Sequence, residues 1–194
     1  MPSMHRHDHL FEQLSGHVPS NEREQGFRSE MLGLLAKEPC CFDRDCFDPG
    51  HFTASAFILS PGLDELLLIL HAKLNLWLQP GGHVEPLDEN LLAAARREAA
   101  EEVGLTDLQL LSEGILDVDI HGIPEGRDPA HQHFDVRFLF TTTTRELRAA
   151  SDAVDARWVP LDEVATHQSD ASVMRAVSTI RTQRDVRAPK SDRS

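Results

Sequence analysis

Apolar and polar positions along the chain predict one amphipathic helix and one long alternating strand. Residues 89–103 are rich in alanine and leucine, which favour helix, and their apolar positions recur at helical spacing. Residues 131–140 alternate with a period of two, so Phe134, Val136 and Phe138 share one face of a predicted strand. The opposite face of that strand carries polar side chains.

Shorter elements surround these two. Apolar runs bounded by turn residues predict strands, and spaced apolar residues after a polar cap predict helices. The remaining predicted elements are strands at 52–59, 65–70, 107–117 and 157–160, a Gly- and Pro-rich loop at 119–130, and helices at 161–166 and 171–182.

The two ends of the chain differ from its centre. Residues 1–19 carry scattered histidines among polar residues and are expected to be frayed. Ser20 is the predicted N-cap of a helix that continues through Lys37. The predicted organisation is therefore an N-terminal helical extension at 1–50, a main domain at 51–182 and a polar, disordered tail at 183–194.

Three carboxylates share one face of the predicted helix at 89–103. Glu98, Glu101 and Glu102 stand at i, i+3 and i+4 beside an apolar stripe, and Gly104 follows as the predicted left-handed C-cap. Acids near a helix C-terminus oppose its dipole at a cost of about 0.3–1 kcal/mol each, and they also repel one another. A cation that prefers hard oxygen ligands, such as Mg²⁺, would offset that cost. A solvated acidic helix end is the alternative interpretation.

Together with the turn before the helix, these acids resemble the signature of the Nudix hydrolases. The matching positions are Gly82, Glu89 and Arg97-Glu98-Ala99-Ala100-Glu101-Glu102-Val103-Gly104-Leu105. The usual pattern has five residues between the glycine and the first glutamate, whereas six intervene here. Asp88 keeps the usual spacing from Gly82, and Glu89 keeps the usual spacing to Arg97. The resemblance implies an α/β (α+β) fold of Nudix type, an α/β/α sandwich with a mixed β-sheet, behind the helical extension.

The same resemblance implies functional residues. Glu98, Glu101 and Glu102, with the carbonyl of Gly81, are expected to bind Mg²⁺, or Mn²⁺ in its place. The expected catalytic residues are Glu98, Arg97 and Glu101, with Glu98 as general base and Arg97 holding a glutamate by an ion pair. Acids that lie later in the chain are reserve candidates for the base: Glu125, Asp128 and Asp155.

The polar face of the strand at 131–140 is a candidate substrate wall. It carries two histidines, an aspartate and an arginine, more than a surface strand requires. A solvated sheet face is the alternative. The candidate substrate-binding residues are His131, His133, Asp135, Arg137 and, in the preceding loop, Glu125.

The composition of the chain limits the classes of partner that it can be expected to bind. A formal net charge of −13 argues against a nucleic-acid duplex, because phosphate backbones are bound by clustered Lys and Arg. No apolar run is long enough to cross a membrane, and the N-terminus lacks the apolar core of a signal peptide, so a cytoplasmic location is expected. The expected partner is a small phosphorylated, nucleotide-derived substrate, and the helical extension leaves a homodimer possible.

The cysteines are expected to be reduced. Cys40, Cys41 and Cys46 are an odd number in one short segment, which argues against a disulfide framework. With His51 they could form a zinc site, but the spacing lacks the paired CxxC of structural zinc.

The favoured function is metal-dependent hydrolysis of a phosphoanhydride in a nucleoside diphosphate linked to another group. Three alternatives remain open. The first is a Nudix domain that binds a ligand without turning it over. The second is an isopentenyl-diphosphate isomerase, which needs a cysteine near the strand face. The third is a zinc-dependent hydrolase with the triad His121, His131 and His133.

Overall fold

A computed structural model describes residues 2–112 and 114–187. The helices are α1 (Pro2–Gly16), α2 (Glu22–Lys37), α3 (Leu91–Val103) and α4 (Ala171–Arg187), with a short 3₁₀ turn at Val164–Thr166. The strands are β1 (Gly50–Leu59), β2 (Glu65–His71), β3 (Trp77–Leu78), β4 (Gly81–His83), β5 (Gln109–Leu110), β6 (Asp117–Ile123), β7 (His131–Thr141) and β8 (Ala153–Pro160). None of the helices in the described ranges is long and apolar enough to cross a membrane.

The strands form one mixed sheet built around β1. Strand β1 pairs in parallel with β7 over its full length and antiparallel with β2 and β4. Strand β7 also pairs antiparallel with β5 and β6, and β2 pairs with β3 and β8. The mixed sheet is the one expected from the sequence.

Apolar cores cover both faces of the sheet. On one face, Phe134 and Val136 of β7 join a cluster with Ala95 and Ala99 of α3 and with buried residues of α1 and α2. On the other face, Leu139 belongs to a second cluster, which includes apolar side chains of α4. Because neighbouring residues of a strand point to opposite faces, the alternation of β7 supplies both cores. The predicted α/β/α sandwich is confirmed.

The N-terminus is more ordered than expected. Residues 2–16 form α1, and Leu10 and Leu14, one turn apart, are fully buried in the core shared with α2. The prediction of a frayed terminus was therefore wrong, because tertiary packing stabilises this helix. The N-cap of α2 is Asn21 rather than Ser20, and its side chain accepts a hydrogen bond from the Glu24 amide.

Further boundaries differ from the predictions. Of the strand expected at 107–117, only β5 and the first residue of β6 are in strand conformation. Residues 119–123, which were predicted to lie in a loop, belong to β6, because this segment pairs with β7 from Asp117 to Ile123. The helix expected at 161–166 is only a 3₁₀ turn, and α4 continues to Arg187, past the predicted end at 182. The rest of the predicted disordered tail, 188–194, lies outside the described residues.

The cysteine segment also differs from the prediction, because two of its thiols are oxidised. Cys40 and Cys46 form a disulfide across a turn that brings their Cα atoms to 5.8 Å, so the expectation of reduced thiols was wrong for this pair. Cys41 is free and buried, and burial raises the pKa of its thiol to about 12. The isomerase alternative therefore lacks the accessible thiol that it requires.

Candidate active site

Helix α3 presents the three carboxylates at its C-terminal end. It begins after Asn90, whose side chain accepts a hydrogen bond from the Ala93 amide, and ends at Gly104 with a φ of 76°. Burial differs among the acids: the side chain of Glu102 is almost fully buried, that of Glu98 is 14% exposed and that of Glu101 is 50% exposed. The helix therefore holds two acids in a sheltered position and one at its rim.

Glu102 is held against the glycine turn. Its carboxylate accepts a hydrogen bond of 3.0 Å from the Gly81 amide. Burial, together with the charges of Glu98 and Asp152, raises the pKa of Glu102 to about 8 despite the hydrogen bond from Gly81, which lowers it. Asp152, just before β8, was not singled out from the sequence, since only the tertiary fold brings it near α3. A buried acid with so little cationic compensation is a strong candidate ligand for a metal.

Arg97 connects the acids to the turn. Its guanidinium donates to Glu98 at 2.8 Å, to Glu101 at 3.1 Å and to Asp88 at 3.0 Å. It also donates to the carbonyl of His83 at 2.7 Å. Burial alone would lower the pKa of Arg97, but these acids outweigh burial and raise it. The expected ion pair between Arg97 and a glutamate is thus present, and it includes two glutamates.

Asp88, rather than Glu89, occupies the position of the first acid. Asp88 is buried, pairs with Arg97 and accepts a hydrogen bond of 2.8 Å from the Glu85 amide, whereas Glu89 is exposed. The extra residue therefore lies after this acid. Arg6 of α1 donates to the carbonyls of Asp88 and Glu85, so the N-terminal helix supports the turn.

The two glycines of the turn permit close packing. A Cβ on Gly82 would lie 2.6–2.9 Å from the Glu98 carboxyl group, and a Cβ on Gly81 would lie 2.4 Å from the Ser55 hydroxyl. Both distances are shorter than real Cβ contacts, so a side chain here would displace its neighbour. Glycine at these positions lets the strand β4 approach the helix acid and the central strand.

The polar face of β7 divides into two parts. Its inner part is a buried ion network in which Arg137 donates to Asp135 at 2.8 Å and to Asp117 at 2.9 Å. Arg175 of α4 donates to Asp117 at 3.0 Å and to Asp119 at 2.8 Å. Burial opposes the charge on Asp119, but a hydrogen bond from His121 and the two arginines hold the pKa of Asp119 well below its usual range. Asp135 and Arg137 therefore bind protein groups in the described fold.

The outer part of that face holds histidines. The Nε2 atoms of His131 and His133 lie 3.3 Å apart, and the rings of His51 and His83 pack against His133. Burial and the neighbouring histidines lower the pKa of His83 to about 4 and that of His133 to about 2. His121, the third member of the expected zinc triad, instead bonds to Asp119 at 3.3 Å. His51, which the triad did not include, takes its place beside the other two.

The reserve acids lie on the surface. Glu125 and Asp128 are exposed in the connection between β6 and β7, and Asp155 pairs with Arg157 at 2.7 Å. Within the described residues, none of the three forms a hydrogen bond or ion pair with the α3 acids. A cavity of about 420 Å³ lies elsewhere, between the α1–α2 connection and α4, and its lining includes none of the α3 acids.

Known proteins resemble this chain in sequence and in fold. The family model described as NUDIX domain matches residues 49–177. A NUDIX-family hydrolase from Clostridium perfringens is 29% identical, with a TM-score of 0.53, and the match covers 69% of this chain and 97% of that one. A Caenorhabditis elegans Ap4A hydrolase in a binary complex is 17% identical, with a TM-score of 0.57, covering 70% of this chain and 98% of that one.

A further similar structure is the NUDIX domain of Shewanella oneidensis NrtR complexed with ADP ribose, at 18% identity and a TM-score of 0.55, covering 78% of this chain and 96% of that one. No curated protein matches the chain significantly. The family match extends over most of the chain, and it includes the turn, the helix and the acids described above. The chain therefore belongs to the Nudix hydrolase family, a family of pyrophosphohydrolases.

Proposed function

We propose that the protein is a metal-dependent hydrolase that cleaves a phosphoanhydride bond in a nucleoside diphosphate linked to another group. The observation that carries the proposal is the pair of sheltered carboxylates, Glu98 and Glu102, which pack against a glycine turn and of which Glu98 is paired with Arg97. Such a concentration of negative charge destabilises the protein on its own and binds cations.

The donor set fits Mg²⁺. Glu98, Glu101, Glu102 and the carbonyl of Gly81 offer hard oxygen ligands, which Mg²⁺ prefers, and Mn²⁺ accepts the same donors. When bound, the metal supplies neutralisation of phosphate charge and a more acidic bound water. Arg97 pairs with Asp88, Glu98 and Glu101 and supplies one positive charge. When these acids and Glu102 are all ionised, three of their four negative charges remain uncompensated by Arg97.

The chain's own groups then have distinct roles. The Gly81 amide fixes the Glu102 carboxylate, and Arg97 fixes the carboxylates of Glu98 and Glu101. Glu98 is our candidate for the general base, because burial raises its pKa against the opposing effect of Arg97, toward the working pH of a base. Arg97 is a positioning residue, since its donors are used by the acids and by the carbonyl of His83.

Substrate recognition is proposed for the outer histidines. His131 and His133 line the polar strand face next to His83, whose carbonyl accepts a hydrogen bond from Arg97, and Glu125 lies in the loop that leads to them. Asp135 and Arg137 support this wall from inside rather than contact phosphate, because Arg137 is buried in its ion network. A nucleotide-derived substrate is supported by the Ap4A and ADP ribose named for two similar structures.

The test is chromatographic detection of the nucleotide products from a panel of nucleotide sugars, dinucleoside polyphosphates and oxidised nucleoside triphosphates, with Mg²⁺, with Mn²⁺ and with a chelator. We expect turnover of at least one class with metal and none with the chelator. Glu102→Gln should lower the rate by at least about 10²-fold, whereas Glu89→Gln, an exposed neighbour, should leave it unchanged.

Metal-dependent turnover by Glu102→Gln at the wild-type rate would refute the metal assignment. Ligand-induced thermal stabilisation without turnover of any panel member would favour the ligand-binding alternative instead.

A further inference from the structure

Five histidines from four strands meet on the polar face of the sheet. His51 of β1 and His121 of β6 both pair in register with His133 of β7, which places the three in one row across the sheet. His131 lies two residues before His133 and so shares its face, and His83 of β4 contacts both His51 and His133. The ring centroids of neighbouring members lie 4.9–5.4 Å apart.

Two of these rings are oriented by backbone carbonyls. The Nδ1 of His51 lies 3.1 Å from the Cys46 carbonyl, and the Nδ1 of His131 lies 2.7 Å from the Pro129 carbonyl. A carbonyl can only accept, so each Nδ1 carries the proton and each Nε2 keeps a lone pair that can bind a metal; that of His131 points at the Nε2 of His133. Metal-binding histidines characteristically donate their second ring N–H to a carbonyl or carboxylate in this way.

One of the free lone pairs is buried without a partner. His51 is 1% exposed, and its Nε2 makes no hydrogen bond in the structure. An unsatisfied buried nitrogen costs roughly the full desolvation of that group, so proteins seldom keep one without a role. The ligand nitrogens of His51, His131 and His133 all lie within 4.8 Å of one another. The imidazole that carries the orphaned nitrogen therefore packs against two further imidazoles.

We propose that His51, His131 and His133 form a binding site for a transition-metal ion of the zinc class, separate from the oxygen-ligand site on α3. Imidazole nitrogen suits Zn²⁺, Ni²⁺, Cu²⁺ and Co²⁺, whereas Mg²⁺ prefers oxygen, so the two sites select different ions. Three protein ligands leave one coordination position for water or an anionic oxygen.

The distances between the histidine nitrogens match those of a tetrahedral metal site after a small movement of His51. Metal–nitrogen bonds of about 2.0–2.1 Å place tetrahedral ligands about 3.4 Å apart. The Nε2 atoms of His131 and His133 already lie 3.3 Å apart, so His51 needs to approach them by at most about 1.4 Å. A rotation of the His51 imidazole about its own side-chain bonds is the movement that would close this distance.

An anion is the main competing occupant of this cluster. Binding of phosphate requires protonated imidazoles, but protonation of several rings about 5 Å apart brings like charges together in a buried setting. The cluster also lacks a described lysine or arginine that bonds to any of the three rings. Neutral imidazoles with free lone pairs favour a cation.

The test is a titration of chelator-stripped, full-length protein with Zn²⁺ by calorimetry and with Co²⁺ by visible absorption. We expect one tight site with the intense visible bands of tetrahedral Co²⁺, and no displacement by millimolar Mg²⁺. His133→Asn and His51→Asn should each weaken Zn²⁺ binding by at least about 10²-fold. Should either variant fail to fold, His131→Asn supplies the same test at a position closer to the surface.

Two controls exclude other sources of binding. The N-terminal histidines could bind metal loosely, so a variant with His5, His7 and His9 all changed to Asn should keep the tight site. Glu102→Gln should also keep it, which separates failure of this inference from failure of the proposed hydrolase site. Loss of tight binding in the N-terminal variant, unchanged affinity in His51→Asn and His133→Asn, or binding of inorganic phosphate in place of Zn²⁺ would each overturn the inference.

Discussion

Replacing Glu102 with Gln should stabilise the metal-free protein while removing its activity. The Gln side chain is nearly the same size, and its carbonyl oxygen can still accept the hydrogen bond from the Gly81 amide. What the substitution removes is a buried negative charge next to Glu98 and Asp152. The two outcomes together would show that this acid is retained for function at the expense of stability.

The size of the effect follows from the pKa. A carboxyl group whose pKa rises from 4.5 in the unfolded chain to about 8 in the folded protein destabilises the fold wherever the unfolded chain is ionised. The destabilisation begins above pH 4.5, grows by at most about 1.4 kcal/mol per pH unit, and levels off above pH 8. Relaxation of the protein around the charge makes the actual destabilisation smaller than this slope implies. We therefore expect Glu102→Gln to raise the free energy of unfolding by about 1–3 kcal/mol at pH 8 and to change it little at pH 5.

The assay is urea unfolding followed by fluorescence at pH 5, 6, 7, 8 and 9 in the presence of a chelator, with Glu89→Gln as the exposed control. The gain of Glu102→Gln over wild type should increase with pH, while the control stays flat. Adding Mg²⁺ should stabilise wild type and not the variant. A Glu102→Gln protein that is less stable than wild type at pH 8, or whose difference does not change with pH, would contradict this reasoning.

Three further predictions concern the sheet face and the turn. Arg137→Met removes the arginine that pairs with buried Asp135 and one of the two that pair with Asp117, and it should cost about 3–5 kcal/mol in urea unfolding; a fold of normal stability with a raised KM would instead mean that Arg137 contacts substrate. Asp119 has a depressed pKa when folded, so its stabilisation is present above about pH 4 and is lost as pH falls; Asp119→Asn should flatten that acid limb. Gly82→Ala should push Glu98 aside and lower kcat by about 10²-fold with little loss of stability, whereas Gly33→Ala, which meets nothing within 4 Å, should not affect kcat.

The helix and its acids could be predicted because their signals are local. Alanine content, the i, i+3, i+4 spacing of the glutamates and the glycine after the last turn all lie within fifteen residues, and the structure places the helix end and its left-handed cap at Gly104 as expected. The alternation of β7 is equally local, and its apolar face is confirmed. The choice between Asp88 and Glu89 could not be made this way, since it depends on which acid the folded turn directs at Arg97.

Features that depend on pairing between distant strands were missed. Nothing near His51 in the sequence indicates that β1 will pair in parallel with β7 and bring this residue beside His133. The same is true of β6, most of which falls in the Gly- and Pro-rich stretch 119–130 that suggested a loop, although its register with β7 fixes it as a strand. Order in α1 likewise comes from the burial of Leu10 and Leu14 against other elements rather than from its own composition.

The polar residues of β7 were interpreted as one substrate wall, but their partners separate them into two units. Arg137 is enclosed because α4 supplies Ser172 and Arg175 above it, and its donors are used by Asp117, Asp135 and Ser172. The histidines further toward the start of β7 are instead faced by other imidazoles, and the buried Nε2 of His51 beside them has no hydrogen-bond partner. A single alternating strand therefore places a closed ion network at its inner end and two histidines beside the unsatisfied nitrogen of His51 at its outer end. The network holds the strand in register, and the register in turn positions His133 opposite His51.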